Sequence, residues 1–599
     1  MTVYPPRNKV ERNQTWNAES VFKNHRAWQD ELNAILGDLE SVKKFQGRLG
    51  EGPATLVEAL SAYENLVLRA ARVYMYAGFS HAVDTADQKA AGEVGQAASM
   101  FSQVAANSAF ISPELIAIGR DKLAEWSRQE PKLAVYGHSF DDLFRKQAHI
   151  RSGEVEELLG MLADPFSGPS NTASMLTNAD FKFAPAVSSS GRKLEVTQSS
   201  VHRILFTSDR TARQTAWNNY MDRHVEFKNT LASNLATSMK ANVFQMRAHL
   251  HESSLAASLF ETNVPVEVFH NLIDTFKRHL PVWHRYFEIR RKALGQANLA
   301  YYDMWAPLAK RDVKITFREA VDMICEGLQP MGQEYTDSLR KGCLEERWVD
   351  YAPNKGKQNG AFSYGAPGTY PFIMMSFTGD VGSMSTLAHE LGHSMHSYLT
   401  WKHQPFVYSE YSLFVAEVAS NFHQAMVRAH LLDATTNRNF QIALIEEAMS
   451  NFFRYFFQMP TLARFELEAH QRIEKGEALT ADSMSELMAD LFTEGFGPKV
   501  KVDRPRVGMV WSTFGHLFSD YYVYQYATGI SGAHALSGRI LRGEPNAAAD
   551  YLGFLKSGSS AYPLEVLRKA GVDLASPKPI EETFAVMESY VDRLEKLLK

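Results

Sequence analysis

Apolar positions along this chain recur mostly at helical spacing. The run LVEALSAYENLVLRAARVYMYAGFSHAV over 56–83 and the stretch from about 94 to 127 predict long amphipathic helices. One clear β signal interrupts the first half: ADFKFAPAV, then SSSGR, then KLEVTQ, which predicts a hairpin near 179–198. Farther on, Leu387, Leu391, Met395 and Leu399 recur at helical spacing. TGDVGSMS precedes them and supplies Gly379, Asp380, Gly382 and Ser383 as loop and helix-start residues. The segment YSEYSLFVAEVASNFHQAMVRAHLL predicts the next helix. Between these regions, GAFSYGAPGTYPFIMMSF reads as a loop and then a strand from Phe372 to Phe377. The Pro-Gly cluster at 353–371 is the longest irregular stretch. The pattern is that of a mainly α protein with a small β element. The hairpin marks a boundary between an N-terminal helical domain, 1–198, and a second domain, 199–599.

Composition narrows the function classes. A chain of 599 residues is too large for one simple core. Its 45% hydrophobic and 22% charged content is that of a globular enzyme. A formal net charge of -5 argues against nucleic acid or an anionic membrane as the main partner. The two cysteines, Cys325 and Cys343, fit a reducing compartment and leave no cysteine-ligated metal. The N-terminal MTVYPPRNKVERNQTWNAES has no apolar core, and no run of about 20 apolar residues occurs; cytoplasmic residence is the expectation.

Candidate chemistry lies inside TLAHELGHSMHSYL. His389-Glu390-Leu391-Gly392-His393 is an H-E-x-x-H motif. On a helix, histidines four apart share one face, so both imidazoles can grip one zinc ion. Glu390 then sits where it can take a proton from water. A catalytic zinc site needs a third protein ligand. A third histidine six residues after the second is excluded, because that position is Leu399. Two carboxylates follow, Glu410 and Glu417. Glu410 lies beside Ser409 and Ser412 and reads as a first-turn acid favoured by the helix dipole. Glu417 is flanked by Phe414, Val415, Ala416, Val418 and Ala419, where a carboxylate is costly unless paired or bound to metal. A buried ion pair with an arginine would also serve, but the metal is the better account. His396 shares the face of His393 one turn on and reads as a packed or supporting histidine.

TLAHELGHSMHSYL followed by QPFVYSEYSLFVAEVAS resembles oligoendopeptidase F, in the thimet oligopeptidase group of zinc metallopeptidases. GKQNGAFSYGAPGTYPFIMMSF, YYVYQYATG, YPLEVLRKAGVDL and FKNTLASNLATSMKANVFQMRAHLHESSLAASLFETNVP are similar in pattern, so the likeness covers most of the chain from about 110 onward. The resemblance implies a nearly all-helical fold around a deep substrate channel between domains, a zinc ion on His389, His393 and Glu417, and Glu390 as base. Two departures from the family pattern are His423-Gln424 after AEVAS and Ser376-Phe377 in the strand; both bear on contacts around the site and on substrate preference. In thimet-type enzymes a histidine and tyrosines bind substrate and the oxyanion. By that likeness His516 and Tyr524 take the role here, with Tyr522 next. Read from the residues alone, the tyrosine stripe is core packing; Tyr521 with Tyr524 and Tyr522 with Tyr526 would share helix faces. Likewise the strand Phe372–Phe377 is either an ordinary buried strand or an exposed edge that pairs with an extended peptide, and the resemblance favours the edge.

The expected function is zinc-dependent hydrolysis of internal bonds in oligopeptides. A helical zinc carboxypeptidase is the nearest alternative, though no basic residue marks a site for a terminal carboxylate. A catalytically silent zinc-binding helical protein is the other, and an intact Glu390 counts against it. Oligopeptides are the expected partners.

Overall fold

The structure is a computed structural model that describes residues 4–309 and 313–599. Met1, Thr2 and Val3 of the polar N-terminal segment lie outside the described residues. Along the chain come helices α1 (Pro53–Val83), α2 (Gln88–Ser108), α3 (Ile111–Ile118), α4 (Arg120–Gln129) and α5 (Gly137–Lys146). Strands β1 (Ala186–Val187) and β2 (Lys193–Leu194) follow, then helix α6 (Arg210–Glu226). Strands β3 (Val349–Asp350), β4 (Phe362–Tyr364) and β5 (Phe372–Met374) precede helices α7 (Val381–His403) and α8 (Leu413–Ala434). Helices α9 (Met459–Glu474) and α10 (Tyr524–Leu541) complete the set that bears on function. Many further helices fill the chain, so the architecture is mainly α.

The chain packs as two compact units, each of three segments. One comprises Met1–Ala148, Lys314–His430 and Leu536–Gly571; the other comprises His149–Val313, Leu431–Ala535 and Val572–Lys599. A division at residue 198 crosses this grouping. The physical reason is in the packing: the β1–β2 hairpin lies against α6 in the second unit, whereas α1 packs its aromatic end onto β5 in the first.

In the first unit, Trp28, Leu56, Leu66, Val73, Met100 and Trp126 belong to one buried core beneath α1, α2 and α4. A second small core joins Trp16, Met75, Phe79 and Val83 to Phe372 and Met374. The expected helix over 94–127 is three helices. Gly119, at φ +90°, separates α3 from α4 in a conformation that L side chains rarely adopt. The 56–83 helix and the hairpin are found, with Ala186 opposite Leu194 and Val187 opposite Lys193.

The three-stranded sheet has the order β3-β5-β4, β3 parallel to β5 and β4 antiparallel to it. β5 is therefore central and buried, which corrects the expectation that Phe372–Phe377 forms an exposed edge. The edge strands are β3 and β4, the latter contributed by the glycine-rich segment whose pattern reads as loop. The second unit is built on an aromatic core of Trp283, Phe287, Phe453, Phe457 and Phe496.

Candidate metal centre and active site

Helix α7 starts at a capping box. Asp380 is the cap, its carboxylate accepting from the Ser383 N–H at 2.7 Å, while the Asp380 N–H donates to Ser383 Oγ. The start is as the sequence signals suggest, and it sets the phase that puts His389, Glu390 and His393 together. Helix α8 crosses α7 closely, and the contact point is Gly392. A Cβ there would fall on the Ala419 carbonyl and within 2.6 Å of the Ser420 Cα. Gly392 is therefore needed for backbone approach, not for a turn.

That crossing delivers Glu417 to the two histidines. Its Oε2 lies 3.4 Å from His389 Nε2 and its Oε1 3.9 Å from His393 Nε2. One ligand atom from each of the three residues lies within 4.8 Å of the others, the one such group of three among the described residues. Ser420 Oγ donates to Glu417 Oε2 at 2.9 Å, which fixes the carboxylate plane. Glu410 is not a first-turn acid: it precedes α8 by three residues and lines a cavity.

Burial sets the protonation of the site. It pushes the His393 imidazole down to about 4 against the opposing charge of Glu417, so the ring is neutral and its lone pair available near pH 7. Burial first, and the Glu417 charge second, push the Glu390 carboxyl up to about 8. A nearby cation would lower that value, because it stabilises the carboxylate.

The His423-Gln424 departure acquires a structural meaning. The Gln424 Oε1 accepts from His389 Nδ1 at 3.1 Å, and the Gln424 Nε2 donates to Ser385 Oγ at 2.7 Å. The amide orientation is thus set, and it leaves His389 Nε2 free of the proton on the Glu417 side. His423 instead meets the Tyr335 hydroxyl at 2.6 Å, its pKa held down to about 3 by burial. His396 is packed, stacked on Tyr411 with centroids 3.6 Å apart. Tyr411 bonds Ser397 at 2.8 Å and donates to the His393 carbonyl at 3.4 Å. The sequence marks position 424 only as a departure that bears on contacts around the site, and it does not mark Gly392 or Tyr411 as supports; a glycine inside H-E-x-x-H is the one available signal for a close helix crossing.

In the second unit, Tyr521 and Tyr522 lie before α10 rather than in it, and Tyr521 has φ +44°. Tyr521 and Tyr524 therefore do not share a helix face. Tyr524 turns into the core, its ring 5.4 Å from Phe269. His516 instead packs with Tyr522 and Tyr526, at 5.5 and 5.8 Å between centroids, and the two tyrosine hydroxyls are 3.2 Å apart. Burial, then the Arg454 charge, lower the His516 pKa, and its buried Nδ1 has no hydrogen-bond partner among the described residues.

Comparison with known proteins gives this geometry a family. The model for peptidase family M3 matches residues 205–586, and the oligopeptidase F model matches 114–183. The chain belongs to peptidase family M3, whose members the H-E-x-x-H helix and its carboxylate fit: metalloendopeptidases that act on oligopeptides. More particularly, it is 36% identical to oligopeptidase PepF of Bacillus subtilis over 99% of this chain and 88% of that one. It is 31% identical to group B oligopeptidase PepB of Streptococcus agalactiae over 99% and 98%. The crystal structure of oligoendopeptidase-F from Enterococcus faecium superposes with a TM-score of 0.76 at 28% identity, covering 96% of this chain and 99% of that one.

Proposed function

We propose that this metalloendopeptidase holds one zinc ion on His389, His393 and Glu417 and uses Glu390 as its general base. The observation that carries the assignment is the convergence of two imidazole nitrogens and a carboxylate within 4.8 Å, beside a buried glutamate that is not one of the three. Two neutral nitrogens and one carboxylate oxygen are a donor set that zinc favours, with a position left open. When bound there, the ion supplies a Lewis acid that acidifies water and polarises a carbonyl. His389 is held in one tautomer by Gln424, and a His393 ring N–H is taken by the Ala416 backbone, so each presents its other nitrogen to the centre. Glu390 accepts a proton at a carboxylate oxygen as water adds to the scissile carbonyl carbon. It then returns that proton to the amide nitrogen as the C–N bond breaks.

For His516, Tyr522 and Tyr524 the resemblance gives substrate and oxyanion contacts. Of these, the orphaned His516 Nδ1 and its packing with Tyr522 favour that pair, and the burial of Tyr524 favours a supporting role. The unpaired edge of β4 suits a substrate backbone in extended form. We also place the protein in the cytoplasm, because Cys325 and Cys343 are both free and buried. Among the described residues, no helix is long and apolar enough to cross a membrane.

The test is Glu390→Gln. Hydrolysis of a peptide blocked at both ends should fall about 10²- to 10⁴-fold with zinc content unchanged. Full activity in the variant, or loss of the metal, would contradict the assignment of Glu390 as base.

A further inference from the structure

The first unit contains a cavity of about 870 Å³ that the catalytic assignments leave unused. It lies between α1, α2, α3 and α5 on one side and β4 with the 406–410 segment on the other. Its walls are mostly apolar and aromatic, including Tyr63, Tyr136, Tyr364 and Phe406. Two carboxylates, Glu64 and Glu410, break that surface, and no lysine, arginine or histidine lines it.

Neither acid forms an ion pair among the described residues. Glu64 accepts only a neutral hydrogen bond, from the Tyr136 hydroxyl at 2.7 Å. Arg72, near the rim, donates to the Pro367 carbonyl at 2.6 Å rather than to either acid. Burial raises both carboxyls, and the Glu410 charge adds to burial in raising the Tyr364 phenol. A mostly apolar cavity with two acids that lack an ion-pair partner among the described residues is complementary to a cation on an apolar stem. Carboxylates pair the head, and aromatic faces attract it while covering the methylenes.

Two residues that line the cavity are linked to the catalytic helix through their chain neighbours. Tyr364 is a residue of β4, and Ser363 beside it bonds Ser394 of α7 at 2.8 Å. Glu410 adjoins Tyr411, whose hydroxyl meets the backbone of His393. A peptide lying along β4 would send alternate side chains to either face of the sheet. We infer that this cavity is the pocket for a long basic side chain, arginine or lysine, of the oligopeptide substrate, and that Glu64 and Glu410 are its specificity-determining residues. The inference rests on the peptidase assignment. Its size, in the upper part of the range for ligand pockets, accommodates such a side chain together with part of the neighbouring residue.

The test uses zinc-loaded Glu390→Gln protein as a non-cleaving host. Decapeptides blocked at both ends carry arginine at each position in turn, with citrulline as the neutral isostere. Blocking removes the terminal ammonium as a competing cation. At one position the arginine peptide should bind about tenfold more tightly than its citrulline twin. Adding E64Q and E410Q together should bring the ratio to within about twofold, leaving the citrulline affinity in place. Circular dichroism and zinc content confirm that the variants fold. Equal binding at every position, a preference that survives both substitutions, or no binding of either peptide would overturn the inference. Cleavage by the wild-type protein is scored separately. Arginine and citrulline peptides cut equally would leave the peptidase assignment intact and remove the pocket alone, whereas no cleavage of any peptide would remove the assignment.

Discussion

Glu417 and Glu466 are both buried glutamates on long helices, α8 and α9, yet they sit in opposite electrostatic situations. Glu417 faces two imidazoles and a serine hydroxyl. Glu466 is fully buried, and its Oε1 accepts the Tyr521 N–H at 2.8 Å while its Oε2 has no hydrogen-bond partner among the described residues. The first carboxylate is arranged to meet a cation. Burial and the neighbouring Asp520 raise the second well above the ordinary carboxylate range, so it remains a neutral acid. A buried glutamate on a helix is therefore not a metal ligand by that fact alone. What distinguishes the two is the placement of nitrogen donors around one of them.

Removing Glu417 should have the largest effect. E417A is expected to lose its zinc on dialysis and its hydrolysis with it, whereas E466Q should retain both. Metal analysis checks this. Full zinc content in E417A would end the contrast and point to another acid, Glu410 first, as ligand. The next effect should come from Gly392. Gly392→Ala forces α7 and α8 apart, at a cost of about 1–3 kcal/mol in stability. It also displaces His393 from Glu417, and kcat/KM should fall about 100-fold for a displacement near 1 Å. Unchanged kinetics and Tm would mean the crossing tolerates a methyl group. Gln424→Ala is milder, since it frees His389 to rotate without removing a ligand. Zinc affinity should drop about 10- to 100-fold by competition with a chelator. An unchanged affinity would show that Gln424 does not orient the ring.

These residues were unevenly legible in the sequence. Histidines four apart on a helix, the Asp380 cap and an acid in an apolar run depend on local periodicity, so the three residues of the proposed metal centre could be singled out, and the structure brings them within reach of one another. The supports could not, because Gln424 reaches His389 from a different helix and the need for Gly392 arises only where two helices cross. Strand β4 is three residues inside a Pro-Gly cluster, too short for alternation to register, so the resemblance points for an edge to β5, the more apolar and in fact central strand. The 94–127 run failed because apolar periodicity continues past Gly119, where the backbone does not. Around 516–526, helical spacing was extended over residues that precede α10. The left-handed Tyr521 resets the phase, and it takes Tyr524 away from His516.

That left-handed residue brings the comparison back to Glu466, whose carboxyl holds the Tyr521 N–H and so the turn that carries His516 and Tyr522. Its protonation gives a smaller but distinct prediction. Below the ordinary carboxylate pKa, folded and unfolded chains both hold the proton. Above it, the unfolded chain releases the proton and the folded chain keeps it, so stability falls as pH rises until the raised folded pKa is passed. The groups around it titrate elsewhere. His470 is lowered to about 4 by burial and contributes an opposite slope that ends near its unfolded pKa. Asp520, raised to about 7 by burial and then by the charge of Glu474, contributes a slope of the same sign that ends near pH 7. Glu390, raised to about 8 by burial and then by the Glu417 charge, contributes the same sign up to that pH, so between pH 7 and 9 the difference between the wild type and E466Q reports Glu466. In denaturant unfolding the wild-type protein should lose stability over that window faster than E466Q, by up to about 1.4 kcal/mol per pH unit. Equal slopes in the two proteins would show that Glu466 is already ionised in the folded state. It would then be a partnered acid like Glu417, and the contrast between the two would disappear.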